Sequence, residues 1–288
     1  MQNQENKAFT KTLLELRDKI DKIDLSILDL LEQRLDVVKS VKNLKEDHED
    51  RFFIKSAREG DMIKELIKKS AKKLPTNLIV DIWRKIISFS NHLEQPINIA
   101  LHNPDNKVEF KHIIQSYYNN IIPITNHNSS SSVIMDIESK RSQIAVFSLP
   151  KNQSDDSSSD WWITLANNTS GIRVFAKIPL IKDSSEHNLV ALAIKEVEQS
   201  SQDTSLLCIE VSREATESQF LADLAANFSN FEVLKSIKSE KINRNATFYL
   251  VEVHNFLEND SDEIANFNTS KSKPYVKILG VYPTQIES

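Results

Sequence analysis

Residues 13 to 45, LLELRDKIDKIDLSILDLLEQRLDVVKSVKNLK, hold one apolar pattern at helical spacing, and no other feature constrains the fold as strongly. The pattern extends from about residue 12 to 47, and some 36 residues at about 1.5 Å each predict a helix about 54 Å long. A helical domain of about 95 residues cannot cover such a rod by itself, so a second copy of the chain is expected to pack against it. Arg34 interrupts the seam, standing among Ile27, Leu31, Val38 and Val41 where a core leucine belongs. A guanidinium in that place needs an anion. Lys45 shares the face of Arg34 to within about 20°, while Arg17 lies about 100° off it, beside Leu14 and Ile20, and is better placed to serve a neighbouring chain.

Two further helices are expected before residue 95. Ser56-Ala57-Arg58-Glu59 reads as a capping box that opens the second, and the third follows Pro75. The third repeats the anomaly of the first: its apolar stripe of Trp83, Ile86 and Ile87 continues into Ser90 and Glu94. Basic and polar groups converging on helix faces predict a polar pocket inside a helical bundle, built for a small anion. Plainer readings stand beside it: Arg34 paired with a buried Glu, Lys45 as a solvated helix-end charge, Glu59 as the cap acceptor for Ser56, and Ser90 as a satisfied core hydroxyl.

Beyond residue 95 the pattern changes. Short apolar runs (INIAL, VIMDI, QIAVFSL, IRVFAKI) alternate with loops such as NHNSSSS and KNQSDDSSSD up to about residue 200, an α/β pattern. From about Ser205 the order reads strand, helix, strand, strand, helix, strand. The expected architecture is therefore multidomain, α plus α/β, with an α-helical domain at 1–95, an α/β region at 96–200 and a βαββαβ domain at 201–288. Only three glycines serve 288 residues, so Asn and Ser must fill turn positions.

Composition narrows the function. A hydrophobic share of 40% and a charged share of 27% belong to a water-soluble globular chain, and no apolar run approaches the roughly 20 residues of a membrane span. The net charge of −5 gives no reason to expect nucleic acid or a membrane surface as partner, although residues 1–95 carry 19 basic against 17 acidic side chains. The polar opening MQNQENKAFT is unlike a signal peptide, and one cysteine, Cys208, allows no internal disulfide; a cytoplasmic location is expected. No metal or cofactor motif is present in the sequence.

LLELRDKIDKIDLSILDLLEQR, VVKSVKNLK, FIKSAREGDMIKEL and IVDIWRKIISFS, in that order and spacing, resemble the all-helical (AroQ-class) chorismate mutases over residues 9–95. The resemblance implies an intertwined helical homodimer that rearranges chorismate to prephenate without metal, cofactor or covalent intermediate. It implies that Arg34 binds one substrate carboxylate, that Arg17 crosses from the other subunit to bind the second, and that Lys45 donates to the ether oxygen. Arg58 would add positive charge, Glu59 would accept from the substrate hydroxyl, and Ser90 would help hold a carboxylate.

Two positions depart from the family's common pattern. Lys55 stands where many members have an acidic residue, and Glu94 falls where many have a glutamine that donates to the ether oxygen. A carboxylate cannot donate unless protonated, so that role falls to a neutral Glu94 or to Gln95 after a small shift of register. The remainder resembles a prephenate dehydratase region followed by an ACT-like domain, through FYLVEV and YVKILGVYP, with the family's motifs degenerate. Gly171-Ile172-Arg173-Val174 replaces a Thr-Arg-Phe triplet, so Arg173 survives but the hydroxyl is lost to Ile172. Ser218-Gln219-Phe220 and Lys238-Ser239-Glu240-Lys241 replace the two amino-acid-binding motifs. The expected activity is chorismate mutase with a structural or regulatory C-terminal region. A bifunctional mutase and dehydratase, or a non-catalytic helical dimerisation module, are the alternatives.

Overall fold

A computed structural model describes residues 2–46, 54–71, 73–150, 160–182, 187–212, 214–238 and 246–287. Contacts divide the chain into two compact units, residues 1–51 and 52–288. The first is one helix, α1 (Gln2–Glu46). Its 45 residues exceed the expected span at the N-terminal end and give a rod about 68 Å long. A lone helix has no interior, and Leu14, Ile20, Ile27, Leu28 and Leu30 are each at least half exposed on it.

The second unit opens with α2 (Ser56–Lys69) and α3 (Thr76–Glu94). Pro75 precedes α3 as its N-cap, with the fixed φ of −58° that suits a helix start. The capping box expected at α2 does not form. Lys55 is the N-cap, no side chain caps the helix, and Ser56 is already its first residue. The carboxylate of Glu59, which that box would have used, is drawn to α3 instead.

Strands and helices then alternate: β1 (Ile99–His102), α4 (Val108–Tyr118), β2 (Ile124–His127), α5 (Ser130–Glu138), β3 (Ile144–Leu149), α6 (Trp161–Ala166), β4 (Ile172–Ile178), β5 (Ile181–Lys182) and β6 (Asn188–Ile194). VIMDI lies inside α5, an apolar run too short for periodicity to separate helix from strand. The βαββαβ order follows as expected: β7 (Asp203–Ser212), α7 (Glu217–Asn227), β8 (Phe231–Lys238), β9 (Ala246–Val253), α8 (Asp262–Asn268) and β10 (Tyr275–Pro283), with β11 (Ile286–Glu287) pairing β5.

One nine-stranded mixed sheet, in the order β2-β1-β3-β6-β4-β10-β7-β9-β8, runs through both α/β regions. The parallel pairing of β4 with β10, Val174 opposite Gly280, joins its halves. Side chains alternate as a pleat requires: Leu206 and Cys208 of β7 enter one core cluster with α5 and α6, while Leu207 and Ile209 enter another with α7 and α8. The third cluster places Ile63 of α2 and Val80 and Ile87 of α3 among Ile99, Ile114, Val146 and Phe175. Helices α2 and α3 thus share a core with α4 and the strands. Nothing local in α2 or α3 announces that burial.

Cys208 lies in this interior, and burial, with Glu210 adding to it, pushes its thiol up to about 12. Only about one thiol in ten thousand is then ionised at pH 8. The native chain is expected to resist iodoacetamide at pH 8 for hours and to take up one equivalent once denatured, as read by intact mass.

Candidate active site

Glu59 sits in the first turn of α2, where the helix N-terminus favours a carboxylate. It is buried, and α3 supplies both of its partners: Arg84 Nη1 donates to Oε2 at 2.8 Å and Asn91 Nδ2 donates to Oε1 at 2.8 Å. Arg84 and Asn91 are seven residues apart, two helical turns, and so present one face to α2. The guanidinium carbon of Arg84 lies 3.8 Å from the centroid of the Tyr117 ring on α4. Burial opposes the guanidinium's charge, yet Tyr117 and Glu59 outweigh it and hold the Arg84 pKa above its ordinary value. Burial also pushes the Tyr117 and Tyr118 hydroxyls up, so both stay neutral in the physiological range. The cluster is a fixed carboxylate with a permanent cation behind it.

The other expected residues of α2 and α3 lie on the same two helices. Ser90 is buried and its hydroxyl donates to the Ile86 carbonyl at 2.8 Å. Glu94 ends α3, half-buried, one turn beyond Ser90. Gln95 is the C-cap with extended backbone (φ −143°, ψ 125°), so it leaves the helical face that Ser90 and Glu94 share. Arg58 is exposed and lines an open cavity of about 750 Å³ together with Lys55, Met62 and Glu198. The Lys55 ammonium stands 3.2 Å from Glu198 Oε1.

Arg17, Arg34 and Lys45 belong to α1 and are described on that helix alone. Arg17 is exposed and Arg34 half-buried; the side chain of Lys45 lies outside the described residues. Arg84 and Asn91 were not singled out from the sequence, although their spacing within WRKIISFSN carried the signal. The plainer reading of Glu59 as the cap acceptor for Ser56 does not hold, because its partners lie 25 and 32 residues away.

The degenerate motifs occupy structural positions. Ile172 is core, and the Arg173 guanidinium donates to the Ile172 carbonyl at 3.0 Å. Phe220 is buried on α7, where Thr216 caps the helix by accepting from the Gln219 amide at 3.2 Å. Ser239, Glu240 and Lys241 lie outside the described residues. A second polar cavity, about 670 Å³, is lined by Glu252, which accepts from Lys177 Nζ at 2.8 and 3.0 Å and from the Tyr282 hydroxyl. Among the described residues no group of His, Cys, Asp and Glu could hold a metal ion, and no helix is long and apolar enough to cross a membrane.

Residues 16–95 match the family model of chorismate mutase type II. No curated protein matches the chain. Solved structures that align with it include prephenate dehydratase from Streptococcus mutans, at 17% identity and a TM-score of 0.42, covering 67% of this chain and 100% of that one. Another is prephenate dehydratase from Staphylococcus aureus, at 11% identity and a TM-score of 0.45, covering 65% and 100%. A third, described as GqqA, a novel type of quorum quenching acylase, aligns at 14% identity and a TM-score of 0.47, covering 65% and 95%.

Proposed function

We propose, on the premise that residues 16–95 belong to the chorismate mutase type II family, that this chain rearranges chorismate to prephenate. The single observation that carries the reading is that family match, over the segment holding every cation and carboxylate of the expected pocket. The reaction is intramolecular: the ether C–O bond breaks as a C–C bond forms, and negative charge builds on the ether oxygen. A catalyst needs cations to hold two carboxylates in the compact conformer and donors aimed at that oxygen. Arg34 holds one carboxylate and Arg17 of the second subunit the other, Ser90 helps hold a carboxylate, and Lys45 donates to the ether oxygen with Arg58 adding positive charge. Glu59 accepts from the substrate hydroxyl. Its tie to Arg84 and Asn91 supports this role, because each carboxylate oxygen keeps a second lone pair while the pair of donors fixes its orientation. Chorismate turnover by the purified chain tests the reading.

The working form is a homodimer, supported by the exposed apolar side chains of α1. Arg17→Ala and Arg34→Ala proteins, each inactive, are expected to regain up to about a quarter of wild-type activity when refolded together, because heterodimers assemble one intact site. No recovery despite mass-verified subunit exchange would place both arginines in one chain's site. The residues beyond 95 serve a structural or regulatory purpose, and the buried thiol is consistent with a cytoplasmic protein.

Glu94 is the donor position least suited to its task. Glu94→Gln supplies an amide that donates at every pH, and kcat at neutral pH is expected to rise by up to about tenfold. A Glu94→Ala enzyme with wild-type kcat would remove Glu94 from contact with the reacting oxygen and make Gln95 the next residue to test.

A further inference from the structure

Helix α2 carries Arg58 and Glu59 in its first turn, and its own start is poorly built to hold them. The N-cap is Lys55, no side chain caps the helix, and a cation at that place opposes the partial positive charge of a helix N-terminus. The chain leaving β6, about 140 residues on, brings the carboxylate that the helix lacks. Glu198 Oε1 stands 3.2 Å from the Lys55 ammonium, and its Oε2 stands 3.3 Å from that of Lys195. The buried Lys195 side chain also donates to the Ile54 carbonyl at 3.2 Å, one residue before the cap. Further along, the Ser201 amide donates to both carboxylate oxygens of Asp61 at 3.1 Å. Gly60 packs so closely on the end of β10 that a Cβ there would stand 2.9 Å from Pro283 Cβ. Arg58 and Glu59 lie between these points of attachment.

Glu198 is the member on which the others depend. Burial lowers the pKa of Lys195, and Glu198 opposes that fall more than any other group. Without a carboxylate between them the two ammonium groups repel, the Ile54 carbonyl loses its donor, and the first turn of α2 can shift. Glu198 and Arg58 also line the same open cavity. We propose that Glu198 and Lys195 are positioning residues of the mutase site, Glu198 supplying from outside the helical segment the carboxylate that the start of α2 lacks, so that Arg58 and Glu59 are held for the substrate. This presupposes that the chain turns over chorismate. A displacement of about 1 Å in such a site costs up to about a hundredfold in rate.

The experiment compares three full-length proteins: wild type, Glu198→Gln, and Lys55→Glu combined with Glu198→Gln. Glu198 is partly exposed and glutamine keeps its size, so the single variant removes the charge without endangering the fold. Its kcat for chorismate, per folded molecule, is expected to fall at least about tenfold with KM within about threefold of wild type, because Arg58 acts on charge that exists only in the transition state. The double variant returns a carboxylate to the start of α2, beside Lys195, and is expected to recover kcat to within about threefold of wild type. Amide hydrogen exchange over residues 54–61 is expected to quicken in the single variant and to slow again in the double one. A Glu198→Gln protein that melts earlier yet keeps wild-type kcat while folded, a double variant no faster than the single one, or exchange unchanged from wild type would overturn the proposal. A wild-type protein without turnover would remove the mutase reading, and the site role of Glu198 with it, while the exchange still shows whether Glu198 holds α2.

Discussion

Gly280→Ala is expected to be the most damaging single-methyl substitution in the strands. A Cβ at Gly280 would stand 2.0 Å from the Val174 carbonyl oxygen, 2.5 Å from its amide nitrogen and 2.7 Å from its carbonyl carbon. All three are backbone atoms of β4, so no side chain can swing aside. Gly280 is also the residue through which β10 pairs with β4, beside an irregularity in its pairing with β7. To admit the methyl, the two halves of the nine-stranded sheet must separate, which exposes core on both. The expected cost is at least about 3 kcal/mol, or a fall in Tm of about 6–12 °C for a unit of this size. Gly171→Ala is the control. Its φ of +75° strains any L residue, but its Cβ would meet only Ile194, at 3.9 Å, so a loss of about 1 kcal/mol is expected. Equal losses at the two glycines, read by thermal melts of the full chain, would show that the β4–β10 junction is not what holds the halves together.

Arg34→Ala is expected to lower kcat/KM for chorismate by at least about a thousandfold while α-helical circular dichroism and subunit association stay as in the wild type. The reason lies in what a half-buried guanidinium does in the empty and the filled pocket. As a structural ion pair it would leave a buried carboxylate stranded when removed, at a cost of about 3–5 kcal/mol in stability. As a ligand for substrate, its removal leaves an unfilled space and one missing charge in the transition state. The two losses appear in different measurements. A variant that melts early and turns over normally when folded would assign Arg34 to the fold.

How far the sequence revealed this molecule differs by residue. Helix α1 was legible because its apolar spacing is sustained over nine turns or more. The order from β7 to β10 was legible because runs such as FEVLKSIK and ATFYLVEV alternate at the period of a strand and are bounded by helix caps and turns. The joining of the two α/β regions into one sheet was not legible. Strands β4 and β10 lie about a hundred residues apart, and parallel pairing leaves no local pattern. The same limit hid Arg84 and Asn91. Ser56 and Glu59 satisfied a local capping rule, while the stronger interaction, a buried charge-assisted pair with Arg84, came from another helix. Local rules described how each helix begins and which face is apolar; they were silent on what that face meets.

Catalysis of the chorismate-to-prephenate rearrangement is directly measurable. Its most direct test is a time course of chorismate consumption and prephenate formation by the purified full-length protein, with both compounds resolved chromatographically and folded Arg34→Ala protein as the control. Prephenate is expected to form in equal amount to the chorismate lost, at a rate at least about a millionfold above the uncatalysed reaction, and the control is expected to lose nearly all of that acceleration. A folded, dimeric wild-type protein that leaves chorismate at its uncatalysed rate would show that the chain is not a chorismate mutase.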